Sequence, residues 1–175
     1  MRPLSATLLA SAFLFLRAGA LRADDISKPK PNQIGVEPVI AMPVGDFGDG
    51  AGIGFGGLAR YQRQLFPKLR ITGRAGFLYH LEKNDVSIYE VPFVAGIKYD
   101  FKQDGDTRIY AGSELGFCLV GAKVMGSSDS NTNLAMSGGV GYERGKLDLR
   151  AQIWLPDVGD AMAIMATVGY AVTAF

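Results

Sequence analysis

Several kinds of chemistry are closed to this 175-residue chain by what it lacks. It has one cysteine, Cys118, so no internal disulfide can form. Cys118 also lies far from the N-terminus, which excludes a lipid-anchored cysteine directly behind an export signal. Its one histidine, His80, rules out a site built from two or more imidazole ligands. Net charge is nearly absent too, with 18 Lys and Arg against 17 Asp and Glu, so no broad basic field invites nucleic acid. Glycine, by contrast, is plentiful: 23 residues is nearly twice the usual share of about 7%. It follows no G-X-Y period, so collagen is excluded, and inside strands such glycine marks tight bends or close backbone approach. The length suits one domain and is short for two.

Residues 1–23 read MRPLSATLLASAFLFLRAGALRA. An early arginine precedes an apolar stretch from Leu4 to Leu16, and small residues then lead to Ala18-Gly19-Ala20 and Ala23. This order of charged, apolar and small residues predicts a cleaved signal peptide, cut after Ala20 or after Ala23. Arg17 interrupts the apolar stretch well short of the roughly 20 residues a membrane helix needs. Asp24 to Gln33, with Lys28, Pro29, Lys30 and Pro31, reads as an extended periplasmic leader.

From Ile34 to the C-terminus the pattern has period two. Ile71, Gly73, Ala75, Phe77, Tyr79 and Leu81 oppose Arg70, Thr72, Arg74, Gly76, Leu78 and His80. Tyr89, Val91, Phe93, Ala95, Ile97 and Tyr99 oppose Glu90, Pro92, Val94, Gly96, Lys98 and Asp100. Sustained alternation means strands with one apolar and one polar face. Seven breaks, at Pro43–Gly50, Arg63–Lys68, Lys83–Val86, Lys102–Asp106, Val124–Asn133, Arg144–Lys146 and Pro156–Ala161, divide the segment 34–175 into eight strands. These are Ile34–Met42, Ala51–Gln62, Leu69–Glu82, Ser87–Phe101, Thr107–Lys123, Leu134–Glu143, Leu147–Leu155 and Met162–Phe175.

The fold class predicted is all-β: an eight-stranded antiparallel up-and-down transmembrane barrel. Three features favour it over a soluble sandwich. The strands approach or exceed the 9–11 residues of a tilted membrane strand, whereas soluble strands are usually nearer 5–6. The polar face mixes charge with glycine, as a narrow lumen requires. The aromatics gather at two levels of the apolar face: Tyr61, Tyr99, Phe101, Tyr142 and Tyr170 at one end, Tyr79 and Tyr89 at the other. Two such girdles mark lipid–water boundaries.

An exported eight-stranded pattern ending in the strand from Met162 to Phe175 resembles the OmpA/OmpX-like outer-membrane β-barrel superfamily of Gram-negative bacteria. The resemblance covers Ile34 to Phe175. It implies residence in the outer membrane, contact with outer-membrane lipid, insertion by the barrel assembly machinery, and a monomer. In the family a terminal aromatic with apolar residues in phase behind it is the assembly signal. Here Val172, Tyr170, Val168 and Ile164 lie out of phase with Phe175, so the signal effectively ends at Val172.

Arg60, Arg70, Arg74, Glu90, Lys98, Arg108, Glu114, Asp148 and Arg150 share the inferred lumen face and are expected to pair there, because charges removed from water must be compensated. Gly52 to Gly57 matches G-x-G-x-x-G, but strand alternation rather than a helix follows it, so a Gly-lined strand is the better reading. Asp46 to Gly50 reads as a turn of Asp and Gly, without the spacing of a calcium loop. The leading functional expectation is a non-enzymatic barrel with a structural or surface-interaction role. His80 and Glu82 near the outer rim, with Ser87 across the turn, keep a lipid-modifying enzyme open beside it. A small pore and a soluble exported ligand-binding barrel are also compatible with the pattern. No metal or cofactor is expected. Trp154 is expected to pack locally near the outer end of its strand.

Overall fold

The computed structural model describes residues 32–124 and 127–174. The expected signal peptide and residues 24–31 of the leader lie outside the described residues, as do 125, 126 and 175.

Alternation of this length is satisfied when each strand pairs with its neighbours and the last pairs with the first. The strands are β1 (Asn32–Val44), β2 (Gly54–Phe66), β3 (Leu69–Lys83), β4 (Val86–Asp104), β5 (Thr107–Val124), β6 (Ser127–Arg144), β7 (Leu147–Asp157) and β8 (Ala161–Ala174). They form a closed antiparallel barrel in sequence order, with β1 sealed against β8. Closure removes the exposed edges that an open sheet would leave. Both ends of the described chain lie at one end of the barrel, here called the inner end.

Tight turns join several of the strands. Asn84 and Asp85 link β3 to β4 with φ of 54° and 61°, the left-handed pair whose twist matches that of a two-residue hairpin. At the inner end, Gly105 and Gly145 open the β4–β5 and β6–β7 hairpins with φ of 56° and 58°.

The polar face turns inward. Arg70, His80 and Glu90 are completely buried, while Phe93, Leu115 and Ile153 on the apolar face are each more than half exposed. Among the described residues, no charged side chain occupies an outward position between the two aromatic levels. On β4 that stretch runs from Tyr89 to Phe101. At about 3.3 Å per residue and a tilt of about 40°, its twelve steps span about 30 Å.

Four local expectations are corrected. Asn32 and Gln33, expected in the leader, belong to β1, because their backbones pair with Arg63 and Gln62 of β2. The break at Pro43–Gly50 holds the end of β1 and a short helix, α1 (Asp46–Gly50), rather than a simple turn. In the break at Val124–Asn133 the chain has already re-entered strand at Ser127. Residues 127–133 pair with 118–124 of β5 through the backbone, which needs no apolar side chain. Finally, β4 continues beyond Phe101 to Asp104 through a bulge between Asp100 and Lys102.

Candidate functional site

The lumen is built from inward positions of all eight strands, and its chemistry changes along the axis. Near the inner end, Arg70 on β3 donates to Asp100 on β4 and to Glu143 on β6, each at 2.5 Å. Arg108 reaches the same Asp100 at 3.8 Å from a partly exposed position.

Above this lies the densest cluster. Asp148 on β7 accepts from Arg60, from Lys98 at 2.6 Å and from the Tyr110 hydroxyl at 2.5 Å. Glu114 accepts from Arg74, from Arg150 at 2.9 Å and from Ser137 at 2.8 Å. Glu37 on β1 lies 3.1 Å from Arg60 and 3.2 Å from Arg74, joining the two groups. The Tyr110 ring sits among the cations, with Lys98 Nζ 4.3 Å from its centroid. Asp148 and Glu114 are each shared among at least three donors and Glu37 lies between two guanidinium groups, and such sharing offsets the cost of taking charge out of water.

Glycine leaves room for the cluster. A Cβ on Gly169 would stand 3.1 Å from Arg60 Nη1 and 3.2 Å from Asp148 Cβ.

The outer half of the lumen is apolar, packed with Val39, Leu58, Leu78, Val94, Cys118 and Met165. A separate polar group interrupts it. His80 faces the Gly52 carbonyl through Nδ1 at 3.0 Å and Glu90 through Nε2 at 2.8 Å, and Trp154 donates to the other Glu90 oxygen at 2.7 Å. Phe47 of α1 packs edge-on against the His80 ring, 5.5 Å between centroids. Gly54 makes this possible, since a Cβ there would overlap the imidazole.

All nine lumen residues named from the sequence point inward, and all except Glu90 and Arg108 enter the two inner clusters through close contacts. Glu90 belongs to the outer group, and Arg108 makes only the long contact to Asp100. Glu37, Asp100, Glu143, Tyr110 and Ser137 also belong to the clusters. Their signal is positional: each falls on the inward parity of its strand. His80 is sealed within the barrel, while Ser87 Oγ pairs with Glu82 at 3.3 Å on the exposed rim, so the three do not form one constellation. Trp154 packs inside the barrel as a buried inward residue. The Gly52–Gly57 segment leads into β2, with no helix following.

Outside, Tyr61, Tyr99, Phe101, Tyr142 and Tyr170 face outward toward the inner end, and Tyr79 and Tyr89 toward the other. Tyr61 donates to Asn32 at 2.7 Å. Tyr99 and Phe101 meet edge to face at 5.6 Å.

The sequence matches no family profile and no curated protein. The fold is similar to solved structures. The Neisserial surface protein A superposes with a TM-score of 0.65 at 14% identity, over 81% of this chain and 96% of that one. Ail, the attachment invasion locus protein of Yersinia pestis, gives 0.58 at 13% identity, over 82% and 98%. A second Ail structure holds the heparin analogue sucrose octasulfate. The N-terminal β-barrel domain of Pseudomonas aeruginosa OprF gives 0.53 at 12% identity, over 82% and 99%. The architecture is that of the small eight-stranded outer-membrane barrels.

Proposed function

We propose that this chain is a monomeric, non-enzymatic barrel of the bacterial outer membrane, inserted by the barrel assembly machinery, with a structural or surface-interaction role and a lumen closed by ion pairs. One observation carries the membrane reading: an outward face free of charge, bounded by aromatics at both ends, around a charged interior. In water such a continuous apolar surface would drive aggregation. In a bilayer it is matched to its solvent, and the closed ladder satisfies every strand.

The closure reading rests on the two inner clusters. Their guanidinium and carboxylate groups reach across the bore from opposite strands, and an eight-stranded lumen is just wide enough to be filled by side chains. A non-enzymatic role is supported by the sealing of His80 inside the barrel, with both ring nitrogens held by Gly52 and Glu90. The outer rim carries Asp46, Asp49, Glu82, Asp85, Asp129, Asp157 and Asp160 against Lys83 and Lys123. That sign disfavours a sulfated polyanion such as the one bound by Ail, and favours cationic or neutral surface partners.

The test is fractionation of cells followed by gel mobility of heated and unheated samples, with planar-bilayer conductance on the purified protein. Outer-membrane recovery, a heat-dependent shift and absence of stable large channels are expected. A freely soluble periplasmic protein would overturn the membrane reading. Stable large channels would overturn the closed lumen. A change in lipid acylation on His80→Ala would restore the enzyme reading.

A further inference from the structure

The bulge in β4 has a consequence at the inner rim. Up to Asp100 the even-numbered residues of β4 face the lumen. Beyond the bulge the register places Lys102 opposite Ile109 and Asp104 opposite Thr107. Ile109 and Thr107 in turn sit opposite Tyr142 and Arg144 of β6. Ile109 and Tyr142 are outward residues, so Lys102, Asp104, Thr107 and Arg144 are brought onto the same outer wall. A charge that simple alternation would aim at the lumen is thereby turned toward the membrane surface.

An open cavity of about 200 Å³ on this wall is lined by Lys102, Asp104, Thr107, Ile109 and Tyr142, and Arg144 lies beside it as the register partner of Thr107. Next to it, the Gly145 amide donates to the Asp106 carbonyl at 3.1 Å and ties the two inner turns together. The cavity sits at the level of the inner aromatic girdle. Its chemistry is ordered along the membrane normal: Ile109 and Tyr142 lie on the hydrocarbon side beside Lys102, and one pleat further out lie Thr107, Arg144 and Asp104. Among the described residues, Lys102, Arg144 and Asp104 enter no ion pair within 4 Å.

We propose that this niche holds the headgroup of an inner-leaflet phosphatidylethanolamine. Lys102, Arg144 and the Thr107 hydroxyl receive the phosphate, Asp104 receives the ammonium at its side, and Ile109 and Tyr142 pack the glycerol end. Asp104 and Arg144 flank Thr107 in one row across the strands, and cations with one acid beside them match a phosphate followed by a hydrogen-bond donor. Choline lacks that donor, and glycerol offers no charge to Asp104. The inference rests on the membrane reading above.

The test uses the full mature protein refolded into nanodiscs of equal parts phosphatidylethanolamine, phosphatidylglycerol and phosphatidylcholine. Native mass spectrometry then counts the lipids retained. Wild type is expected to keep phosphatidylethanolamine over phosphatidylcholine by about fivefold, the size of one net hydrogen bond to Asp104. Lys102→Gln with Arg144→Gln should lower the retention of all three lipids, while Asp104→Asn should bring that ratio close to one. Asp104→Asn should also shift the preference toward phosphatidylglycerol. Equal retention of the three lipids by wild type, phosphatidylglycerol ahead in wild type, or ratios unmoved by these rim substitutions would each overturn the site. Heated and unheated gels of the same samples separate the two levels: loss of the mobility shift in wild type means the membrane reading has failed, not the niche.

Discussion

The indole nitrogen of Trp154 on β7 donates to Glu90 on β4 at 2.7 Å, tying two strands across the bore. The other Glu90 oxygen faces His80, so one carboxylate anchors the polar group beneath α1. Replacing Glu90 with Ala would leave the Trp154 indole without an acceptor and His80 with only the Gly52 carbonyl in a buried setting, at a cost of about 3 kcal/mol. Trp154 is the only tryptophan, so its emission reports unfolding in urea directly. An unchanged midpoint for Glu90→Ala would remove this group from the account of stability.

Gly54 and Gly57 are three residues apart on β2 and make opposite predictions. A Cβ at Gly54 would stand within 3 Å of three atoms of the His80 ring, which is pinned on both nitrogens and cannot yield. A Cβ at Gly57 meets nothing within 4 Å. Gly54→Ala is therefore expected to lose about 1–3 kcal/mol through overpacking, while Gly57→Ala stays within about 0.5 kcal/mol of wild type. Equal effects in chemical denaturation would show that the ring position is not constrained.

The outward face can be tested by charge. Leu115 lies midway along β5, more than half exposed and opposite Ala95 and Met136. In a bilayer, Leu115→Arg should cost about 2–4 kcal/mol. On a water-facing surface the same change would stay within about 0.5 kcal/mol. Folding equilibria in phospholipid vesicles distinguish the two, and a neutral outcome would mean that this face does not meet hydrocarbon.

In the ionic cluster, Tyr110 and Asp148 should differ in magnitude. Tyr110→Phe removes the hydroxyl that donates to Asp148 and accepts from Arg150 Nε at 3.1 Å, and should cost about 2 kcal/mol. Asp148→Ala strips Arg60 and Lys98 of a shared acceptor and should cost about 3–5 kcal/mol. A combined variant less destabilised than the sum would register the coupling between them. If Asp148→Ala cost no more than Tyr110→Phe, the cations would have to be compensated elsewhere.

Period-two alternation alone determined the eight strands, which side chains point inward, and the level of the aromatics, because a strand offers its side chains only two directions. The hairpins at Asn84-Asp85, Gly105 and Gly145 were legible for a similarly local reason: few residues accept the backbone their turns require. Which acid meets which base was decided only by closure. Arg60 and Asp148 are 88 positions apart, Arg70 and Glu143 73, and their contact depends on β1 sealing to β8 and on the stagger that closure imposes. Glu37, which joins the two halves of the central cluster, lies on the inward parity, but its role is visible only in cross-section. Residues 127–133 carry few apolar side chains, so alternation does not mark them as strand, yet backbone pairing to β5 suffices to hold them. The bulge after Asp100 is the sharpest case. One extra residue reverses parity for Lys102 and Asp104, and no count by twos along the chain could have aimed those charges outward.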